Sequence, residues 1–211
     1  MKARAHRVCK LRAMSELPTP HVPNEAHDAR PGFWAGMSPC EHFVHFYDGE
    51  SELLDLLQGF VSDALRSGDA AVVIATPAHL AALDRLLVAG GIDVVAARWQ
   101  GQYLPMDAKT TLGQFMISGG PDEGLFTRVM ADVLNRARRN GRQVRAFGEM
   151  VALLWADGRP GATVRLEQLW TELCRRESVP LFCAYPKAGF EGDNTGSLQA
   201  ICKAHSRLIT A

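Results

Sequence analysis

The chain has 211 residues, of which 47% are apolar, and its 23 basic side chains balance its 23 acidic ones. This length and composition predict one domain with a real hydrophobic core and a short appendage. Because the net charge is zero, no global field attracts nucleic acid or an anionic membrane surface, and no run approaches the roughly 18 apolar residues of a spanning helix. We therefore expect neither a nucleic-acid nor a membrane partner.

The first 39 residues differ in composition from the rest. They contain five of the eleven prolines and three of the seven histidines, without helical or strand periodicity. This pattern predicts a flexible, disordered leader over residues 1–39 and a single domain over residues 40–211.

The five cysteines are widely spaced and form no C-x-x-C pair. Their spacing favours free thiols in a reducing cytoplasm over a zinc knuckle or a disulfide framework. His42 and His45 lie three apart in a predicted strand, so their side chains point to opposite faces and cannot form a metal pair. The sequence therefore predicts a cytoplasmic protein with no metal and no cofactor.

From residue 41 onward, segments typical of strands alternate with segments typical of helices. His42–Tyr47 is aromatic and ends at a turn signal, and an amphipathic helix over about 51–66 follows. Ala70–Ala75 has no polar alternation, as in strands that are buried on both faces of a parallel sheet. Thr76-Pro77 predicts a capped helix start.

The same alternation continues to the end of the chain. We predict further strands over residues 92–98, 103–106, 143–148 and 180–185, and further helices from Asp107 and over residues 121–139, 149–155, 163–176 and 195–208. Strands separated by helices predict right-handed βαβ crossovers. The predicted fold class is therefore α/β, with a mainly parallel sheet and helices on both faces.

Ligands of open parallel sheets bind beyond the carboxyl ends of the strands. The side chains predicted to leave the strands there mix carboxylates, aromatic rings and a few cations: Tyr47, Asp48, Glu50, Thr76, Arg98, Trp99, Asp107, Glu149, Tyr185 and Lys187. Such a mixture is typical of a pocket for a small polar ligand rather than of a phosphate cradle.

The turn after the first strand reads YDGESELL. A phosphate-binding P-loop needs closely spaced glycines and a lysine there, because main-chain amides must wrap the phosphate. This turn has one glycine, no lysine and nearby carboxylates that repel phosphate. The dipeptide Gly-Lys and the pattern G-x-G-x-x-G occur nowhere in the chain, so the usual devices for ATP and dinucleotide binding are missing.

Glu149 follows a predicted strand in RAFGEM and is open to two interpretations. It is either a carboxylate that complements a helix dipole, or a ligand acceptor or general base. Arg145, on the same strand, is an alternative ion-pair partner for it. Neither G-x-S-x-G nor H-E-x-x-H is present, and the sequence predicts no catalytic residue.

Three blocks together resemble one known family: GEMVALLW, EQLW within RLEQLW, and LFCAYP. With HFVHFYDGE and the closing AICKAHSRLI, they are similar to the MEDS family, the methanogen/methylotroph sensory domain of dichloromethane-responsive regulators, over residues 41–209. The resemblance implies a RecA/KaiC-like core that lacks the Walker A loop. It also implies a set of recurrent polar positions, which would be ligand-binding here: His42, Tyr47, Asp48, Glu149, Glu167, Cys183, Tyr185 and His205.

The resemblance further implies that the domain senses simple organic compounds in prokaryotic signal transduction and transcription regulation. Its partner would be a separate histidine kinase, anti-sigma-type regulator or transcription factor, and a homodimer is left open. Two alternatives remain at this point. One is a cryptic nucleotide hydrolase, or another hydrolase, that uses Glu149, and the other is an interaction scaffold without a ligand.

Overall fold

A computed structural model of the protein describes residue 34, residues 37–190 and residues 196–209. The strands within this part are β1 (His42–Tyr47), β2 (Ala70–Ala75), β3 (Tyr103–Asp107), β4 (Met116–Ile117), β5 (Gly120–Pro121), β6 (Val144–Gly148), β7 (Leu181–Pro186) and β8 (Arg207–Ile209). Six of them form one sheet in the order β3-β2-β6-β7-β1-β8, and every pair in it is parallel. The remaining two, β4 and β5, pair as an antiparallel hairpin.

The helices of the described residues connect these strands. They are α1 (Glu50–Arg66), α2 (Pro77–Ala89), α3 (Val94–Trp99), α4 (Ala108–Gly113), α5 (Glu123–Ala137), α6 (Met150–Ala156), α7 (Pro160–Glu177) and α8 (Ser197–Ala204). The predicted α/β class and its mainly parallel sheet are confirmed. A RecA/KaiC-like origin of this core stays a prediction.

The sheet separates two hydrophobic layers. Leu53, Leu87 and Val94, from α1, α2 and α3, pack on one face, whereas Met130 and Trp170, from α5 and α7, pack on the other. The central strand β2 is buried at all six positions, which explains why its sequence shows no polar alternation. Helices on both faces are therefore confirmed.

Two of the crevices at the carboxyl edge of the sheet, between β2 and β6 and between β7 and β1, lie where the connections reverse direction. The helices that follow β1 and β2 pack on one face, and those that follow β3, β6 and β7 pack on the other. Because β2 adjoins β6 and β1 adjoins β7, the chain leaves each of these neighbouring pairs in opposite directions. Such points are where open α/β sheets hold ligands.

The strand predicted over residues 92–98 is wrong, because this segment forms α3. The side chain of Asp93 accepts the N–H of Ala96 and caps the helix. Val95 is 79% exposed and Trp99 is 90% exposed. The position beside β2 in the sheet is taken by β3, and residues 94–99 remain outside the sheet as a helix.

The last predicted helix is partly wrong. Residue 195 lies outside the described part, α8 ends at Ala204, and the chain then becomes β8. This strand pairs with the outer edge of β1, where Phe43 lies opposite Arg207. The edge of a distant strand therefore overrides the local helical pattern.

The predicted leader lies mostly outside the described residues. Trp34 is described, and it is buried against the rings of Phe43, Phe60 and Phe182 at centroid distances of 4.9–5.8 Å. This part of the leader therefore packs against the sheet face that carries α1.

Candidate functional site

Five polar residues lie along the carboxyl edge of the sheet, and we call Tyr47, Asp48, His79, Glu149 and Lys187 the strand-end group. Glu149 follows β6 and is 5% exposed. One of its carboxylate oxygens, Oε2, accepts the N–H of Thr76 at 2.8 Å, and the other, Oε1, lies 2.8 Å from Nδ1 of His79. The carboxylate therefore bridges the crevice between β6 and β2.

Glu149 also raises the pKa values of two neighbouring side chains. Its hydrogen bond raises the pKa of His79 above the usual 6.5, against the effect of burial. Burial, together with the charges of Glu149 and Glu50, raises the pKa of Tyr47 to about 12. At neutral pH the group therefore offers a neutral phenol beside a carboxylate–imidazole pair.

The second crevice, between β1 and β7, is spanned by an ion pair between Asp48 and Lys187. On the α1 side, the N–H of Asp48 donates to Oε2 of Glu52 at 2.9 Å. The first turn of α1 carries Glu50 and Glu52. Carboxylates therefore surround the turn where a P-loop would hold phosphate, which agrees with the expectation from YDGE.

A second assembly lies beneath α7 and α8, and we call His42, Glu167, Cys183, Tyr185 and His205 the buried polar cluster. They come from β1, α7, β7 and the residue after α8. The side chains of Glu167 and His205 are 0% and 1% exposed. The cluster is thus enclosed, whereas the strand-end group borders solvent.

The contacts within the buried polar cluster are short. The hydroxyl of Tyr185 donates to Oε1 of Glu167. Nε2 of His42 lies 3.3 Å from Sγ of Cys183 and 3.5 Å from Oε2 of Glu167, and Nε2 of His205 lies 3.4 Å from the same Oε2. One carboxylate therefore gathers a phenol and two imidazoles.

Burial is the largest cause of the pKa shifts in this cluster. It raises the pKa of Glu167 and raises the pKa of Cys183 and of Tyr185 well above their usual values, since each of their charged forms is an anion out of water. It lowers the pKa of His42 well below 6.5, and the neighbouring His205 adds to this effect. These pKa shifts favour the neutral forms of Glu167, Cys183, Tyr185 and His42.

The structure divides the eight predicted site residues between these two places. His42, Glu167, Cys183, Tyr185 and His205 meet in the buried polar cluster. Tyr47, Asp48 and Glu149 lie in the strand-end group. The sequence placed Glu167 on or beside an apolar stripe, and the structure shows it fully buried and paired.

Several other interpretations change. Arg145 pairs with Asp63 and Asp69, at 2.6 and 2.9 Å, rather than with Glu149. His45 lies on the sheet face opposite His42, as predicted, with Nδ1 against the carbonyl of Ile209. Arg98 and Trp99 do not lie at a strand end, because α3 carries them.

Two contributors were missed by sequence reasoning. His79 is the third residue of α2, whose start at Thr76 faces the same edge as Glu149, so its helix position was the available signal. Thr171 on α7 contacts His42 at 3.2 Å. It lies four residues after Glu167, which places both side chains on one side of a helix.

Across the described residues, none of the helices combines the length and the apolar character needed to cross a lipid bilayer. The parallel sheet with helices on both faces defines the class of doubly wound α/β domains. The model of the family "MEDS: MEthanogen/methylotroph, DcmR Sensory domain" matches residues 41–206. The chain belongs to the MEDS family, which is a family of sensory domains in signalling. None of the curated proteins matches the chain.

Proposed function

We propose that this sensory domain binds a small, simple organic compound at the strand-end group and passes the signal to a separate output protein. The observation that carries the proposal is the position of Glu149, whose carboxylate bridges β6 and the start of α2 at a crevice of the sheet. A hydrocarbon derivative with a hydroxyl or amino group would donate to Glu149 and form a second polar contact with the hydroxyl of Tyr47.

The contacts of Glu149 supply a route for the signal. The carboxylate of Glu149 contacts Thr76 and His79 at the N-terminus of α2. A ligand that competes for this carboxylate would weaken these contacts. Ligand binding would then shift the population of α2 positions. The adjoining α3 carries the exposed Val95 and Trp99. The output protein would be a histidine kinase, an anti-sigma-type regulator or a transcription factor.

The test is isothermal titration calorimetry, together with thermal melts, of the full chain against a panel of short alcohols, amines and halogenated hydrocarbons. We expect at least one compound to bind, and Glu149→Gln and Tyr47→Phe to weaken it about tenfold or more, because each removes one polar contact worth about 1.4 kcal/mol. Tyr103→Phe is the matched control, since that hydroxyl bonds Asp84 far from the crevices. Binding that both site variants leave unchanged would exclude this site, and a panel without any binder would exclude the ligand class.

Catalysis by Glu149 is the competing function, and the carboxylate–imidazole contact with His79 is the observation that favours it. We propose that the domain is not an enzyme, because the phosphate position is lined by carboxylates. An assay with ATP and magnesium distinguishes the two: we expect no turnover above that of Glu149→Gln protein purified in parallel. Turnover that this variant abolishes would establish a hydrolase instead.

A further inference from the structure

The buried polar cluster contains four side chains of the types that bind transition metals. Two imidazoles, a thiol and a carboxylate, from His42, His205, Cys183 and Glu167, direct one atom each toward a common point, and these atoms all lie within 4.8 Å of one another. The four residues come from distant parts of the chain, so no sequence spacing could show that they meet.

The outer hydrogen bonds fix which ring nitrogen of each histidine faces inward. Nδ1 of His205 lies 2.7 Å from the carbonyl oxygen of Ile201, which can only accept, so this nitrogen carries the proton. Nδ1 of His42 lies 3.2 Å from Oγ1 of Thr171. That hydroxyl has the carbonyls of Glu167 and Ala204 as acceptors for its single hydrogen, so it accepts from His42.

Both Nε2 atoms therefore present lone pairs to the centre of the cluster. Histidines that bind metals show this arrangement, in which the second ring nitrogen donates to a carbonyl or another outer acceptor. Tyr185 completes the outer shell, because its hydroxyl holds the other oxygen of Glu167.

The centre of the cluster is unsatisfied within the described part of the chain. Oε2 of Glu167 and Nε2 of His205 are buried without a hydrogen-bond partner, although they lie 3.4 Å apart. A carboxylate oxygen and an imidazole lone pair are both acceptors, and their contact in a low-dielectric interior is unfavourable unless a proton or a metal cation lies between them.

The spacing of the donor atoms agrees with one cation. Tetrahedral zinc has bonds of about 2.0–2.3 Å to nitrogen, oxygen and sulfur, which puts neighbouring ligand atoms about 3.3–3.6 Å apart. The three measured separations, from His42 to Cys183, from His42 to Glu167 and from His205 to Glu167, are 3.3, 3.5 and 3.4 Å. We propose that His42, Glu167, Cys183 and His205 bind one zinc ion or a similar divalent transition metal.

The donor set selects the class of metal. A thiolate and two imidazoles disfavour calcium and magnesium, which prefer oxygen ligands, and they suit zinc. Four protein ligands in an enclosed site leave no open position for a reacting water, as in structural zinc sites. The metal therefore joins β1, β7, α7 and the end of α8, and the proposal does not depend on what the strand-end group binds.

The first test uses the full chain, stripped of metal with a chelator and titrated with Co²⁺ and then Zn²⁺. We expect one equivalent of Co²⁺ to give intense four-coordinate visible bands and a thiolate-to-cobalt charge-transfer band, both removed when Zn²⁺ displaces it. X-ray absorption of the zinc form should show one sulfur and imidazole ligands. A folded protein that binds no metal at one equivalent, or binds it without sulfur, would refute the site.

Variants assign the ligands. Cys183→Ser should abolish the charge-transfer band, and His205→Gln should weaken Zn²⁺ binding by more than the roughly 10–100-fold expected for Thr171→Val, which removes only an outer contact. Cys174→Ser and His45→Gln are matched controls, because they alter a buried thiol and a buried imidazole outside the cluster. Loss of the band in Cys174→Ser, or equal affinity in Thr171→Val and the native chain, would contradict the assignment.

Discussion

The buried polar cluster and the strand-end group both combine histidine, glutamate and tyrosine, yet their surroundings differ. Glu149 receives a main-chain N–H and faces His79 beside solvent, so both of its oxygens have partners. Glu167 receives Tyr185 on one oxygen and keeps the other without a hydrogen bond inside the protein. The same types of side chain thus form a hydrogen-bonded site at the strand ends in one place and an enclosed site with unsatisfied acceptors in the other.

The largest expected difference is between the losses of unfolding free energy in Glu167→Ala and in Glu149→Ala. Both are measured by denaturant unfolding in the presence of a chelator, so that metal does not contribute. Glu167→Ala removes the partner of Tyr185 and leaves a cavity in the core, so we expect a loss of about 3–5 kcal/mol. Glu149→Ala removes the hydrogen-bond partner of Thr76 and of His79, both of which lie near water, and we expect a loss of about 1.5–3 kcal/mol in the free energy of unfolding. Equal losses would show that enclosure does not distinguish the two groups.

A smaller contrast comes from the same substitution at two tyrosines. Tyr185→Phe leaves a buried carboxyl oxygen without its donor, and we expect a loss of about 1–3 kcal/mol. Tyr47→Phe should change the free energy of unfolding by less than about 0.5 kcal/mol, as expected at a site away from a buried hydrogen bond. A loss at Tyr47 as large as that at Tyr185 would contradict the contrast.

The smallest effect concerns pH. The pKa of His79 is raised in the folded state by Glu149, with Glu50 also nearby, so its protonated form stabilises the fold. This contribution is fully present below the unfolded pKa of about 6.5 and is lost as pH rises through the higher folded pKa. The difference in unfolding free energy between native protein and His79→Gln should therefore shrink from about pH 6 to about pH 9. A difference that stays constant or grows would rule out this linkage.

Much of the fold could be predicted because its signals are local. The unbroken apolar run of β2 and the helix starts at Thr76 and Asp107 are signalled by adjacent residues, and all three appear in the structure. The strand predicted over residues 92–98 was wrong because a β-branched run alone does not show whether the segment joins the sheet. The C-terminal strand β8 was not predicted because its partner, β1, lies far away in sequence.

The candidate site was predicted only as a set of residues. The family resemblance supplied the eight residues, and the strand-end argument placed only Tyr47, Asp48, Glu149 and Tyr185 of them at the carboxyl edge, where parallel sheets bind ligands. The sequence could not show that Cys183 and Glu167 point beneath α7, because their meeting depends on packing between β7 and a helix. His205 was expected on a helix face, and its role depends on where α8 ends.

The pairing of the first and last strands has a consequence for biosynthesis. The N–H of His42 donates to the hydroxyl of Ser206, which lies 164 residues later, and the N–H of Ser206 returns to the carbonyl of His42. Domains fold as units while the ribosome adds about 5–20 residues per second. In a nascent chain one edge of β1 therefore stays uncovered until residues 206–209 have been synthesised, and a product that stops short of Ser206 cannot cover it.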